Sequence, residues 1–527
     1  MKFQRMLRGI AVAALMGTTV LGGTAAFAQS TITGGFDVGP GGAQGKFNPL
    51  MATAGFTWQS IYYEPLLAYN AELTQLEGAL AKDWVIADDL RSITFNLNEA
   101  KWHDGEAFNA DDVKFTLDLF RSADAGGVFV ARLSAIDSVE VVNDRTVVLK
   151  LSRPDGSLLS MLSQIMMLPQ HALGSIDPKT MANISWWSEK PVGTGPFKFN
   201  KYVSDQYVEL VANEDYRNGR PKVDRLINRY FDNPASAVAA LRSGEIQFTY
   251  VEADDAASFA NDASFRVIEG ASFVVNYIGF NYLTDLWKDV RVRQAVMHAI
   301  DRDTIIQSLY NGVATRADCG YTAPHLVPAG LDPYAYDPEK ARKLLAEANW
   351  ASINGDKPLT FTTYYNSPLA ANVMAAVQAM LSEVGIHIVP KFVDAAQWAS
   401  IVYREPPNPD EFPIFYAGLQ NGPDPAGINV GLNRSQLPPA GSNVARVDMP
   451  DVSAAFDKAL AETDPAKVTA NWQEVCKVMN RDLPWGTMWV ANRYGVASSS
   501  LENFVWTPAP AGGPFLAHPE LWSIKAQ

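Results

Sequence analysis

Alternation of apolar and polar residues sets the first elements of this chain. "SITFNLNE" (92–99) and "TVVLKL" (146–151) alternate at period two, the pattern of strands with one face buried. "NADDVKFTLDLF" (109–120) instead spaces Val113, Leu117 and Phe120 along one helical face behind a capping Asn109. "YDPEKARKLLAEANW" (336–350) predicts a second helix. Asp337 caps it, Pro338 takes the first helical position, Glu339 meets the positive end of the dipole, and Leu344, Leu345 and Ala348 face inward. "FPIFYAG" (412–418) reads as a strand running into "LQNGPDPAGINVG" (419–431), where glycine and proline dictate a fixed loop. Strand-like and helix-like segments alternate throughout, with no repeat, heptad run or low-complexity tract. That order predicts an α/β fold with partly mixed sheets. Crossings at "KPVGTGPFKF" (190–199), "FVVNYIGFN" (273–281) and "DLPWGTMW" (482–489) separate regions of different character, as in lobes that the chain leaves and re-enters.

The first 28 residues follow another logic. Lys2, Arg5 and Arg8 precede a short apolar core that closes on Ala26-Phe27-Ala28, the small-x-small pattern of a signal peptidase site. Residues 1–28 are therefore read as a cleaved secretory signal, too short for a membrane anchor. Gln29 follows the cut, where a lipoprotein would carry cysteine. The mature chain is expected to be soluble, exported and periplasmic.

Export changes the charge balance. Loss of the signal takes the net charge from −14 to about −17, with 57 Asp and Glu remaining. Such acidity argues against nucleic acid and anionic membrane surfaces as partners. Cys319 and Cys476 are the only cysteines. An oxidising compartment permits a disulfide between them, while two separate buried thiols are the alternative. No metal or other cofactor is expected: no CxxC is present, and the six histidines are scattered.

Catalytic patterns fail one by one. "GPGGAQGK" (39–46) has Pro40 where a phosphate loop needs its first glycine, and Phe47 where it needs Ser or Thr. Neither HExxH nor GxSxG occurs. His103 and Asp104 in "KWHDGEAF" are read as a tight turn between a strand and a helix, and His298 as a packing histidine. The alternative in another class, a secreted hydrolase, finds no acid/base pair to rest on. The chain is not expected to be an enzyme.

In order and spacing, several segments resemble the family 5 extracellular solute-binding proteins, the dipeptide, oligopeptide and nickel receptors of ABC importers. They are "YYEPLLAYN" (62–70), "LEGALAKDW" (76–84), "ITFNLNEAKWHDGEAFNADDVKFTLD" (93–118), "PVGTGPFKF" (191–199), "LRSGEIQF" (241–248), "DVRVRQAVMHAIDRDTI" (289–305) and "YDPEKARKLLAEA" (336–348). The resemblance implies a periplasmic binding protein-like architecture of two lobes and three domains, with the ligand cleft at the hinge. It places domain I at 29–66, 192–273 and 490–527, domain II at 67–191 and domain III at 274–489. It also implies a monomer that closes on a small-molecule ligand and delivers it to an ABC permease.

The same resemblance implies a ligand loop after the domain III strand. Peptide-binding relatives carry there an aspartate for the ligand's α-amino group; aligned on Asp424-Pro425, that position falls on Asn421. A neutral amide accepts a hydrogen bond but cannot neutralise an ammonium. Asp424, beside Pro425, is read as ordering the loop. Tyr416, Gly418, Gln420, Asn421 and Asp424 are the expected rim of the cleft. Trp58, Tyr364, Tyr365, Trp398, Trp485 and Trp489 are candidate stacking surfaces, each weighed against core packing. Arg404 and Arg493 are candidate anion partners, each weighed against an ordinary surface role. The expected ligand is a peptide, an oligosaccharide or an opine-like conjugate, with a metal chelate as the weakest option.

Overall fold

The period-two segments become neighbours in space. Ser92–Leu97 pairs antiparallel with Thr146–Leu151, and each strand buries every second side chain. Ala81–Ile86 and Ile136–Asn143 complete this four-stranded antiparallel sheet. Helix Ala110–Arg121 packs on it through Val113, Leu117 and Phe120. Its start is closed reciprocally: Asn109 accepts from the amides of Asp111 and Asp112, and the Asp112 carboxylate accepts from the Asn109 amide. The second expected helix spans Pro338–Glu347, with Asp337 as its cap and Ala341 and Leu345 buried.

The computed structural model describes residues 30–35, 48–50, 58–126, 129–130, 132–204, 206–231, 233–270, 273–321, 323–420, 423–438, 441–462, 465–507 and 515–525. The signal segment, the glycine-rich stretch 39–46 and Asn421 lie outside them.

Two larger mixed sheets organise the rest. A seven-stranded sheet runs, in spatial order, Phe265–Gly270, Arg493–Ser498, Phe248–Val251, Thr31–Gly35, Arg225–Arg229, Tyr207–Ala212 and Phe197–Val203. A six-stranded sheet runs Ala314–Arg316, Trp485–Ala491, Val274–Phe280, Ile414–Gln420, Leu359–Thr363 and Ile388–Phe392. One continuous apolar core joins the four- and seven-stranded sheets. Two other cores cover the faces of the six-stranded sheet. The chain is thus a mixed α/β protein of two lobes.

The lobes are linked by paired strands. Phe265–Gly270 lies antiparallel to Arg493–Ser498 in one sheet, and the chain runs on from each into an antiparallel pair in the other, Val274–Phe280 and Trp485–Ala491. At the crossing, the Asn492 amide donates to Glu269 at 2.6 Å.

Segments that repel chemistry hold this frame. His103 accepts the Gly193 amide at Nδ1 (3.2 Å), and its Nε2 bonds the Gly195 carbonyl at 3.0 Å. Burial lowers its pKa to about 4, so the ring is neutral and both bonds are satisfied. Asp104 turns away to His171, at 2.8 Å. The glycines of "PVGTGPF" allow this segment to lie against the chain at Ile61 and Tyr62. A Cβ at Gly193 would stand 1.7 Å from the Tyr62 carbonyl oxygen. Buried Arg293 and Arg302 in "RVRQAVMHAIDR" direct their guanidiniums to backbone carbonyls, including Leu483 and Asp482 for the first and Ala317 and Thr487 for the second. His298 bonds the Ala335 carbonyl at 2.8 Å. Cys319 and Cys476, both buried, are joined by a disulfide with their Cα atoms 5.3 Å apart.

Gly193→Ala leaves no room for the 191–195 segment. It is expected to lower stability by at least about 2 kcal/mol, read from the urea midpoint of the purified protein. An unchanged midpoint contradicts the packing described.

Candidate functional site

Strand Ile414–Gln420 presents Tyr416 and Gly418 on one face, two residues apart. Asn276 pairs with Gly418 on the adjacent strand, so its amide meets the same surface. The Tyr365 hydroxyl donates to Asn276 Oδ1 at 3.0 Å, and the Tyr416 hydroxyl approaches the same oxygen at 3.4 Å. Tyr364 donates to the Gly418 carbonyl at 3.0 Å. Gly418 is required here: a Cβ would lie 2.1 Å from the Tyr365 oxygen. Burial raises the pKa of Tyr364, Tyr365 and Tyr416, which keeps all three phenols protonated as donors. Tyr365 and Tyr416, with Tyr310, wall a cavity of about 200 Å³.

A neighbouring cavity of about 330 Å³ lies between the lobes. Tyr310, Asn311 and Leu369 line it from the six-stranded lobe; Tyr250, Glu252, Asp254, Arg493 and Tyr494 line it from the seven-stranded one. The Arg493 guanidinium stacks on the Tyr250 ring at 3.7 Å. Asn311 donates across the gap to Asp254 at 2.7 Å.

The third cavity is small, about 40 Å³, and charged. Arg132, Arg153, Asp155 and Ser160 come from the lobe of the four-stranded sheet, and Asp424, Asn429 and Gln436 from the other. Just beside it, the Gly156 amide donates to the Leu460 carbonyl at 2.8 Å, a backbone bond from lobe to lobe. Asp424 caps the short helix Pro425–Ile428 by accepting from the Ala426 amide at 2.8 Å. It therefore orders its loop and faces the opposite lobe as well. Burial, reinforced by the nearby Asp155 charge, pushes its pKa up to about 6. Neither carboxylate has an ion-pair partner among the described residues.

The residues singled out in the sequence divide into groups. Tyr365 and Tyr416 line the phenol-walled cavity and Asp424 the charged one, while Gly418 and Tyr364 lie behind the wall and brace it. Trp485 and Trp489 are 1% and 0% exposed, so they are core residues rather than open stacking surfaces. Trp485 packs on Tyr277, and Trp489 on Tyr310. Trp398 is half-buried and packs edge-on to Tyr364 and Phe415, one layer behind the wall. Arg404 is tied to Glu411 on the surface, whereas Arg493 does line a cavity. Gln420 ends its strand opposite Val274. The side chains of Trp58 and Gln420 lie outside the described residues, as does Asn421. Sequence reasoning missed Asn276, Tyr310, Arg132 and Asp155. The phenol at the end of helix Arg302–Leu309 and the arginine inside the apolar "GVFVARL" were the available signals.

Residues 75–433 match the model of the bacterial extracellular solute-binding proteins, family 5. The chain belongs to this family. A Brucella melitensis protein named as a candidate ABC transporter peptide-binding protein is 63% identical over 499 residues, covering 95% of both chains. The structure of the Bacillus subtilis oligopeptide-binding protein AppA in complex with a nonapeptide is similar, with a TM-score of 0.79 and 25% identity over 94% of this chain and 100% of that one. A likeness of fold extends to AgaA of A. tumefaciens R10 in complex with agropinic acid, with a TM-score of 0.76 and 21% identity over 94% of this chain and 99% of that one. The family 5 chain is therefore the substrate-binding component of an ABC importer and not an enzyme. It binds a small ligand and serves a membrane permease. No helix among its described residues is long and apolar enough to cross a membrane.

The pKa of Asp424 fixes a sign. The folded state binds its proton more tightly than the unfolded chain, so stability falls as pH rises from about 4 through 6. Asp424→Asn keeps a capping side chain and removes that loss. The variant is expected to exceed the wild type by about 1–3 kcal/mol at pH 7 and to match it at pH 4, in parallel denaturation curves.

Proposed function

We propose that this family 5 receptor captures a peptide or peptide-like solute by closing its two lobes over it, and does so as a periplasmic monomer after loss of residues 1–28. The lobes divide as the sequence suggests: domain I (29–66, 192–273 and 490–527) and domain II (67–191) form one, and domain III (274–489) the other. The observation that carries the reading is the charged cavity. It brings Asp155 and Asp424 together from opposite lobes, and neither is in an ion pair among the described residues. Two like charges facing one another repel, and burial costs Asp424 solvation. A ligand ammonium between them would relieve both costs, and only in the closed form. Differential affinity of this kind is what shifts a population from open to closed. The peptide named for AppA and for the Brucella relative agrees with this choice.

A hydroxyl-rich conjugate is the second reading. The wall of Tyr310, Tyr365, Tyr416 and Asn276 is neutral and offers phenol and amide groups suited to hydroxyls.

Under this reading a dipeptide with a free amine stabilises the protein by RT ln(1 + [L]/Kd), about 2.7 kcal/mol at a hundred times Kd, and no product forms. Asp424→Asn is expected to weaken binding about tenfold to a hundredfold in calorimetry. Wild-type affinity should fall about tenfold from pH 7 to 5, as Asp424 takes up its proton. Stabilisation by opines or oligosaccharides alone would replace the peptide reading with the second one.

A further inference from the structure

The disulfide lies directly behind the loop that carries Asp424. Cys319 and Cys476 belong to the same apolar core as Ala426 and Ile428, the buried side chains of the short helix that Asp424 caps. Contact runs through Gly320: a Cβ there would run into Ile428 Cδ1 and stand 3.1 Å from the Met479 methyl. The Ile428 side chain therefore rests on the backbone of the residue next to the bridge. Tyr321, one residue further on, is buried and packs edge-on to Trp472. Burial raises the pKa of its phenol, and the Asp424 charge is near enough to add to the rise.

Segment 317–334 has little regular structure of its own, a single short turn at Pro324–Leu326. It is held instead on helix Pro465–Asp482. The Asn480 amide donates to the carbonyls of Asp318 at 3.0 Å and Asp332 at 2.9 Å, and Gln473 donates to the His325 carbonyl at 2.8 Å. The disulfide adds the covalent tie, at the point where the segment meets Ile428. From Ile428 to Asp424 there is one turn, stiffened by Pro425, so a shift of the first is passed to the second. We propose that Cys319 and Cys476 are positioning residues for ligand capture: their bridge holds Gly320 under Ile428 and thereby sets where the Asp424 carboxylate meets the ligand's ammonium. This rests on the peptide-like reading above and identifies what places its charged contact. A bridge across 157 residues also stabilises a fold simply by restricting the unfolded chain, and that role has no effect on the affinity of folded protein.

Calorimetry on the mature protein, with Ala-Phe as the probe, would compare four forms: wild type, Cys319→Ala with Cys476→Ala, Asp424→Asn, and all three changes together. At a temperature where it is fully folded, the cysteine pair variant is expected to bind Ala-Phe about fivefold to twentyfold more weakly than wild type. In the Asp424→Asn background, loss of the bridge should change affinity by less than about twofold, because the contact it positions is already gone. A lower melting temperature with wild-type affinity assigns the bridge to stability alone; it overturns the inference and leaves peptide capture standing. An equal loss of affinity in both backgrounds overturns it as well, since the bridge then acts elsewhere than at Asp424. Where the cysteine pair variant does not fold, Ile428→Val decides, because it removes only the Cδ1 that rests on Gly320. A loss of about threefold or more that is absent in Asp424→Asn supports the role, and unchanged affinity refutes it. Failure of Ala-Phe to bind wild type overturns the peptide reading and this inference together.

Discussion

Two antiparallel strands cross side by side from one sheet into the other, and the rest of the molecule is arranged around that crossing. Within each sheet they are locked by a full ladder, Phe265–Gly270 with Arg493–Ser498 and Val274–Phe280 with Trp485–Ala491. Between the sheets the chain passes from each of these strands directly into the next, with Asn492 in one of the two crossings. Motion is therefore confined to a few backbone torsions between two well-packed cores, the arrangement expected of a hinge. One inter-lobe cavity lies next to the crossing at Arg493, and the charged one lies beside the Gly156–Leu460 contact, so rotation about the hinge changes the separation of the facing walls in both.

This geometry accounts for the division of labour among the side chains. The six-stranded lobe carries a preformed phenol and amide wall, with its hydroxyls already oriented through Asn276 and Gly418. Charge is instead split across the gap: Arg132, Arg153 and Asp155 stand on one side and Asp424 on the other. A preformed wall supplies area and hydrogen bonds in either state. Groups that meet only on closure supply the difference between states, and that difference alone drives the conformational shift.

Much of the frame was legible in the sequence because it is governed by local rules. Alternation marked the strands at 92–97 and 146–151, and capping chemistry at Asn109 and Asp337 marked two helix starts. Sheet order was not legible, since it depends on pairings such as Gly34 with Phe248, over 200 residues apart. Strand Trp485–Ala491 is buried on both faces and so loses the period-two pattern that would have shown its extent. Trp485, Trp489 and Tyr416 are equivalent in sequence as flat apolar surfaces. Only packing separates the two indoles in the core from the phenol at the cavity. Arg132 was not legible for a similar reason: its place in the charged cavity depends on which distant segments fold beside it.

Lobe closure driven by ligand is the claim on which the account depends. Spin labels introduced by Ser152→Cys and Lys458→Cys flank the Gly156–Leu460 contact, and the native cysteines are bonded to one another. Double electron–electron resonance then reads the distance between the lobe tips with and without a saturating dipeptide. The account predicts a long-distance population without ligand that collapses onto one short distance when the peptide is bound. Identical distributions in both samples, with binding verified by calorimetry, would contradict it.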